Sequence, residues 1–424
     1  MVKRFRLMLV ASLLVITTIL NAQVTTSSMS GRVTDVDGSV IGATVVATHT
    51  PSGTTYGTVT NLEGRFNLNG MRVGGPYTVE VTYIGYGTST TNNISLALGS
   101  NYVLNVELSE EATTLDEVVV TAARTKFPSE KTGAVTNITS SQITSLPTVN
   151  RSIMDVTRLS PYGGNGMSFG GTDGRTANFT VDGANFNNNF GLSDALPGGG
   201  NPISLDAIDE LQVVIAPYDV RQTNFIGGGV NAITKSGTNT FRATAYSYHR
   251  NENFRGDAVN GMQIQGAREK DRLTTYGFTL GGPIIKNKLF FFVNGEIGQK
   301  PTIVNRWRPS TDGVADADNY ISRTTEADMK KVSDFVKEKY GYDTGSYTNF
   351  PADESNTKLL ARLDWNITNQ HRLALRYNYT KNTSWRSPNA TSMDGGTRMT
   401  EARMSKASMA FANSMYSMDN LVHS

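Results

Sequence analysis

The chain offers few residues that could support metal or nucleophilic chemistry. It has no cysteine and only four histidines, which are His49, His249, His371 and His423. None of these histidines lies in an H-E-x-x-H motif, which binds zinc in one class of peptidase. Without cysteine there is no disulfide framework, thiolate ligand or thiol nucleophile. We therefore expect no enzymatic activity, no metal site and no cofactor.

Two acidic sets and one glycine cluster are better explained by structure than by ligand binding. Asp35 and Asp37 lack the rest of a D-x-D-x-D-G calcium loop, so we interpret them as turn residues. A second acidic set lies at Asp312, Asp316 and Asp318. We interpret it as solvated loop acids. The glycines at 227–229 fit no phosphate-loop or dinucleotide spacing, which favours tight backbone packing.

The stretch LDEVVVTA has chemistry of a different kind, carried by the main chain. It comprises Leu115, Asp116, Glu117, Val118, Val119, Val120, Thr121 and Ala122. Its β-branched residues favour an extended backbone. A short extended segment can add as a strand to the sheet of a partner protein. The alternative is an ordinary edge strand of the domain before or after it.

The start of the chain predicts export. Basic residues at Lys3, Arg4 and Arg6 precede an apolar run at 7–20, and Ala22 is a small residue suited to cleavage. This order is typical of a secretory signal peptide, here residues 1–22. The alternative, a membrane anchor, is disfavoured because the run is shorter than the ~20 residues a spanning helix needs. The net charge of +2 argues against nucleic acid as a partner.

Residues 23–110 predict a small β-sandwich, with short strands between Gly, Asn and Asp turn signals. In YTVEVTYI, at 77–84, apolar and polar side chains alternate, which predicts a strand with one buried face. The apolar members are Tyr77, Val79, Val81 and Tyr83.

Residues 111–235 alternate helix and strand signals and predict a small α+β domain. A short helix follows Ser140-Ser141 and ends at Pro147, and Asn150 is the expected N-cap of a second helix, RSIMDVTRL. Ser204 is the expected cap of a helix LDAIDE that leads into the strand LQVVIAP.

Residues 236–424 predict antiparallel strands of an outer-membrane barrel. FRATAYSYHR is the expected first strand, and hairpins follow at 276–298 and 358–380. Apolar residues alternate with small or polar ones, as expected for strands with a lipid-facing side and a lumen-facing side. Small residues on the lumen side would leave room for a plug. A polar insertion at 300–356 holds one amphipathic helix, with a capping-box-like start at Thr325 and Asp328.

Two of these regions resemble known families. GRV at 31–33, IGATV at 41–45, TNLEGRF at 60–66 and YIGY at 83–86 resemble the carboxypeptidase-regulatory-like domain, a prealbumin-like sandwich without catalytic residues. FTVDG at 179–183, IDELQV at 208–213 and GGVNAITKSGTN at 228–239 resemble the plug of TonB-dependent outer-membrane receptors, in particular the Oar-like branch.

The resemblance implies a mainly β chain: a prealbumin-like sandwich, an α+β plug and an incomplete antiparallel barrel in the outer membrane. It implies that the octamer at 115–122 is a TonB box, and that its partner is a TonB-type periplasmic energy-coupling protein. Outer-membrane lipid and an unidentified imported ligand are further implied partners. A surface lipoprotein is an additional candidate partner. Polar, aromatic-poor loops favour a peptide or polar polymer over a hydrophobic chelate.

Two alternatives stay open on the sequence alone. A surface adhesion or structural protein of β-modules fits the Gly, Asn and Thr content. The second is that the chain is part of a longer protein. A plugged transporter has about 22 strands, which at ~10 residues each need roughly 220 residues for the strands alone. Only 189 residues follow Lys235 in the 424-residue chain. We therefore expect the N-terminal part of a longer receptor.

Overall fold

The computed structural model describes sixteen stretches of the chain. These are residues 25–110, 118–121, 134–148, 150–186, 196, 201–217, 222, 225–254, 256, 258–263, 272–301, 308–316, 321–344, 353–368, 371–386 and 416–423. The predicted signal peptide lies outside them.

The first region is a β-sandwich of two sheets. Its strands are β1 Ser27–Asp35, β2 Gly38–Ser39, β3 Thr44–His49, β4 Thr54–Val59, β5 Arg65–Met71, β6 Gly74–Thr82, β7 Ser89–Leu96, β8 Asn101–Val103, β9 Val106–Glu107 and β10 Val118–Thr121. One sheet has the order β2-β1-β5, with β8 and β9 parallel to β1. The other has the order β10-β7-β6-β3-β4.

Strand β6 shows why this region folds as a sandwich. Tyr77, Val79 and Val81 are fully buried between the sheets, whereas Glu80 is exposed, which confirms the predicted alternation for these residues. The prediction is wrong for Tyr83, which is exposed because β6 ends at Thr82 and the chain turns there. Asp35 forms a turn as predicted, its Oδ1 accepting hydrogen bonds from the main-chain N–H groups of Asp37 and Gly38.

The second region packs helices on a mixed sheet with the order β11-β14-β15-β12-β13. Its elements are β11 Val135–Thr139, α1 Ser140–Ser145, α2 Ile153–Thr157, β12 Asn178–Val181, β13 Ala184–Asn185, β14 Ile208–Val214 and β15 Gly229–Thr234, with 3-10 turns at Gly174–Thr176 and Leu205–Ala207.

Two predicted caps in this region differ from the structure. Ser152, not Asn150, caps α2: its hydroxyl accepts from the Met154 N–H, and Asp155 completes a capping box. Ser204 does cap, but only a single 3-10 turn. Strand β14 begins at once with Ile208, because burial on both faces and pairing with β15 outweigh the local helix signal of IDE.

The glycine cluster is a close-packing device, which confirms its interpretation. A Cβ on Gly228 would lie 2.5 Å from the Phe169 ring, and one on Gly227 would lie 2.1 Å from the Thr172 hydroxyl. Gly227 also has φ +104°, a conformation that side chains disfavour. The three glycines therefore let the chain entering β15 pass close to Thr172, Phe169 and Phe225.

The third region is one antiparallel sheet, which we call the wall, with the order β16-β19-β20-β23-β24-β25. These strands are β16 Arg242–Arg250, β19 Leu273–Ile285, β20 Leu289–Lys300, β23 Glu354–Asn366, β24 Arg372–Arg386 and β25 Tyr416–His423. Outside the wall lie a 3-10 turn Glu252–Phe254, β17 Ala258–Val259, β18 Met262–Gln263, β21 Arg308–Ser310, β22 Ile321–Thr325 and helix α3 Glu326–Tyr340.

The two faces of the wall differ as predicted. The outer face exposes large apolar side chains, including Tyr276, Phe278, Leu280, Leu359, Trp365, Leu373, Leu375 and Tyr377. The inner face is buried against the second region. Small residues line it on β19, but β20 places Phe290 and Phe292 there, which the prediction of small lumen residues missed. Phe292 and Leu360 join the core of the second region, so the wall itself completes that core.

Helix α3 matches its predicted start. The Thr325 hydroxyl accepts from the Asp328 N–H, and Gly341 follows in the left-handed conformation. Its apolar stripe is only partly covered, since Met329 is buried but Phe335 is 54% exposed. No helix in the part of the chain described above is long and apolar enough to cross a membrane.

Candidate functional site

The octamer predicted to bind a partner is described only at its centre. Residues 118–121 form β10, which pairs in parallel with the first half of β7 in the register Val118–Ser89, Val119–Thr90, Val120–Thr91 and Thr121–Asn92. Leu115, Asp116, Glu117 and Ala122 lie outside the described residues. The pairing makes β10 an edge strand of the sandwich. Its identity as a TonB box stays a prediction.

The sandwich is held to the second region through the main chain of Leu98, in contacts that we call the Leu98 clamp. The Leu98 N–H donates to Glu210 Oε1 at 3.0 Å, and its carbonyl accepts from Gln212 Nε2 at 2.6 Å and Asn137 Nδ2 at 3.2 Å. Glu210 and Gln212 are buried, and Val73, Leu98 and Ile233 pack together beside them. The clamp therefore fixes the sandwich to β11 and β14.

We expect Glu210→Ala to loosen the clamp by about 1 to 3 kcal/mol, because it leaves the buried Leu98 N–H without its acceptor. Hydrogen exchange of a peptide spanning Leu98 should accelerate by roughly 10- to 100-fold. Glu107→Ala, which removes an exposed carboxylate of the sandwich, is the matched control and should leave that exchange unchanged. Equal exchange in the two variants would contradict a holding role for Glu210.

A second set of contacts joins the sandwich to the short turns of the wall. The Asn239 N–H donates to the Pro51 carbonyl at 2.8 Å, and Asn366 Nδ2 donates to Thr54 Oγ1 at 3.0 Å. The Arg372 guanidinium stacks 3.9 Å from the centre of the Tyr56 ring. These contacts, with the Arg72–Asp364 ion pair at 3.3 Å, place the sandwich under the end of the wall that carries its short turns.

Buried charges connect the second region to the inner face of the wall. Arg362 forms a two-pronged pair with Asp364, at 2.9 and 3.0 Å, and donates to the Thr234 carbonyl at 2.6 Å. Asp182 lies 3.8 Å from Arg362 and 3.3 Å from Arg376. Asp182 also accepts from the N–H and hydroxyl of Thr234. We call these groups the seat, because they link β12 and β15 to β23 and β24.

A second polar cluster lies on the same face of the wall, farther from its short turns. Glu296 accepts from Lys358 Nζ at 2.7 Å, from the Ser204 hydroxyl at 2.7 Å and from the Tyr246 hydroxyl at 2.9 Å. The Ser204 hydroxyl therefore caps a turn of the second region and also forms hydrogen bonds with the wall.

A polar cavity of about 260 Å³ opens beside this cluster. Asn150, Arg151 and Asn201 line it from the second region, and the wall contributes charged residues that include Arg250, Glu296, Lys300, Glu354 and Lys358. Thr275, Gly298 and Asn356 lie side by side on neighbouring strands of the wall. Gly298 is nine residues from Leu289, where β20 begins after its short turn, which is roughly 30 Å along the strand. The cavity is thus at the end opposite the sandwich, and its lining suits a polar ligand.

Arg151 is the unusual residue of this cavity. Its φ of +49° is left-handed, which is strained for a side chain of this size. An ion pair with Asp206 and stacking 3.8 Å over the Tyr248 ring hold it in place. No sequence signal marked it, because both partners are distant along the chain.

His49 and His249 make structural contacts. His49 is buried against Tyr77, with Nδ1 2.6 Å from the Ser52 hydroxyl, and burial lowers the pKa of His49 to about 3. His249 and Glu252 stand three residues apart, but His249 contacts Thr274 and Glu252 pairs with Arg272. Among the residues described, no three His, Asp or Glu side chains group as metal ligands.

Comparison with known proteins agrees with this architecture. Residues 28–109 match the carboxypeptidase regulatory-like domain, and residues 233–311 match an outer membrane beta barrel domain. Over 374 residues, 84% of the chain, it is 25% identical to the TonB-dependent transporter Oar of Myxococcus xanthus. The chain is a homologue of this TonB-dependent transporter. It spans about a third of the relative's length, 33%.

Solved structures that match part of the chain include a siderophore receptor and an outer membrane transporter. The siderophore receptor PirA from Acinetobacter baumannii is 20% identical, with a TM-score of 0.38 over 59% of this chain and 31% of that one. The outer membrane transporter YddB from Escherichia coli is 13% identical, with a TM-score of 0.42 over 60% of this chain and 34% of that one.

The family matches and the homology to Oar confirm the resemblance stated from the sequence and the mainly β fold class. They also confirm the outer membrane as the location of the chain. The second region carries the stretches that resemble a plug and is called the plug from here on, and the barrel-domain match covers β16, β19 and β20 of the wall.

Proposed function

We propose that this chain is part of a TonB-dependent transporter that imports a ligand across the outer membrane. The observation that carries the proposal is the plug packed on the inner, charged face of a wall whose outer face is apolar. A wall of this kind suits lipid on one side and a removable plug on the other. The named relative is a transporter, which supports a role other than catalysis.

We propose a separate role for each of the segments predicted from the sequence. Residues 1–22 direct export, 23–110 form the periplasmic sandwich, 111–235 carry the TonB box and plug, and 236–424 begin the barrel. A periplasmic TonB protein binds residues 115–122 and supplies the work that moves the plug. The polar cavity opposite the sandwich supports a polar ligand.

The test is binding of the purified periplasmic domain of TonB to the full chain, measured by calorimetry. Val119→Pro should weaken binding at least tenfold, because proline cannot donate a main-chain hydrogen bond and disrupts a strand. Val119→Thr is the matched control, since threonine keeps a β-branched, strand-forming side chain. Equal affinities for the two variants, or no binding by the parent chain, would overturn the coupling role.

Fractionation separates this proposal from a surface adhesion role. A barrel protein should stay in outer membranes after washing with high salt and should change its electrophoretic mobility on heating. Release by salt would instead favour a protein held on the surface.

A further inference from the structure

The pairing with β7 uses one edge of β10. In the described residues β10 is the terminal strand of its sheet, with β7 as its only hydrogen-bonded neighbour. Main-chain groups of successive residues in a strand point to opposite edges. Two of the residues 118–121 therefore direct their N–H and C=O groups to β7, and the other two direct theirs away from it. An open edge of this kind is a template for another strand.

The position of this edge also suits a periplasmic partner. β10 pairs with the first four residues of β7, Ser89–Asn92, whereas the Leu98 clamp to the plug follows the last residue of β7. Six residues separate Asn92 from Leu98, which is up to about 20 Å of extended chain. The edge therefore lies at the end of β7 that is remote from the plug.

We propose that the sandwich presents β10, the described centre of the predicted TonB box, to its partner as a preformed edge strand. The partner, an extended strand of the periplasmic energy-coupling protein, adds to the open edge of β10 while β7 holds the other edge. The result is a continuous sheet in the order partner-β10-β7-β6-β3-β4. The inference rests on the proposed coupling role of residues 115–122 and adds the sandwich as part of the binding site.

Presentation by the sandwich has a physical advantage over a free peptide. A free segment loses its backbone conformational entropy when a partner orders it as a strand. A segment already ordered on β7 has lost that entropy before the encounter, so more of the main-chain bonding appears as affinity. β7 would therefore tighten binding by ordering β10, without contacts of its own to the partner.

A disulfide trap tests the inference directly, because the chain contains no cysteine of its own. The double variant Ser89→Cys with Val118→Cys pairs residues that are in register. Neighbouring strands lie about 4.8 Å apart, within the reach of a disulfide. The matched control, Ser89→Cys with Thr121→Cys, is displaced by three residues, roughly 10 Å, and should not close.

The expected result is that the in-register pair oxidises readily in the full chain and the displaced pair does not. The oxidised in-register variant should bind the periplasmic domain of TonB within about threefold of its reduced form or more tightly. The same variant after reduction serves as its own folding control. A chain lacking residues 25–110 should bind at least tenfold more weakly than the intact chain, because residues 118–121 then have no β7 to pair with.

Three other outcomes have distinct meanings. Failure of the in-register pair to oxidise, or equal binding without residues 25–110, overturns presentation by the sandwich while the coupling role stands. Loss of binding on oxidation also overturns it, since β7 and the partner would then compete for β10. Absence of binding by the parent chain contradicts the coupling role itself.

Discussion

Replacing Arg362 by methionine will loosen the plug from the wall by about 3 to 5 kcal/mol. The guanidinium is almost completely buried, and it pairs with Asp364, lies beside Asp182 and donates to the Thr234 carbonyl. Methionine fills a similar volume without charge or donors. The carboxylates of the seat would then stay buried with fewer cations, which is the costly case for a charge away from water.

Hydrogen exchange in the purified full chain measures this effect. Amides of β12 and β15, which the seat holds against the wall, should exchange on the order of 100-fold faster or more in Arg362→Met. Amides of the sandwich strands β3 and β6 should be unaffected, because they lie in a separate core.

Two further variants make the interpretation specific. Arg158→Met removes an exposed arginine of the plug and should leave exchange within about twofold of the parent, since surface changes are usually small. Adding Asp364→Asn to Arg362→Met should recover part of the lost protection, because the carboxylate that pairs with Arg362 is then neutral, while Asp182 keeps its ion pair with Arg376. Unchanged exchange in Arg362→Met would refute the seat as the element that holds the plug.

Acid will destabilise the sandwich through His49, by about 2 kcal/mol between pH 7.5 and pH 5. Burial lowers the pKa of His49 to about 3, with a further contribution from the nearby Arg72 charge, whereas an unfolded histidine titrates near 6.5. Between these two pKa values the unfolded chain binds a proton that the folded chain does not. The free energy of unfolding therefore falls as the pH drops below about 6.5 and is restored as the pH rises.

Urea denaturation of residues 25–110, followed by circular dichroism at both pH values, checks this prediction. The region has its own apolar core, which makes its separate production reasonable. His49→Gln should show a loss of stability about 2 kcal/mol smaller than the parent over the same interval, since glutamine does not titrate. Parallel losses in the two proteins would assign the acid sensitivity to carboxylates instead.

The same histidine links the core of the sandwich to the wall. His49 contacts the Ser52 hydroxyl, which lies 2.8 Å from the Thr54 hydroxyl, and Thr54 accepts from Asn366 of the wall. Protonation of His49 would therefore disturb the turn at residues 51–54 as well as the core beneath it.

Most of the fold that could be predicted from the sequence followed from the alternation of apolar and polar residues along the strands. This alternation predicted the buried face of β6 and the apolar outer face of the wall, because a period of two follows from strand geometry alone. Along β23, Leu360 is the apolar residue on an otherwise polar inner face. The structure supplies the reason: Leu360 contacts the core of the plug, which local sequence does not reveal.

Contacts between distant segments could not be predicted in the same way. Arg362 and Thr234 are 128 residues apart, and the Leu98 amide and Glu210 are 112 residues apart. Yet Asp182, Glu210, Gln212 and Thr234 all lie in the stretches that carried the resemblance to the plug. Their role as holding contacts explains physically why those stretches contain buried polar residues.

The pairing of β10 with β7 was among the alternatives open from the sequence, as an edge strand of the preceding domain. Its parallel direction could not be predicted, because strand propensity specifies an extended backbone without specifying the neighbour.

The Leu98 clamp has a consequence for how related chains can diverge. The sandwich contributes only main-chain N–H and C=O groups to its three hydrogen bonds, and every residue type except proline supplies both. Substitutions at position 98 that preserve the small apolar contact with Val73 and Ile233 therefore keep the bonds, whereas Asn137, Glu210 and Gln212 are bound to particular side-chain chemistry. Across homologues, the residue type at the sandwich position of this clamp should vary, whereas the three plug positions should keep their side-chain type. One plug could then bind sandwiches of quite different sequence through this clamp.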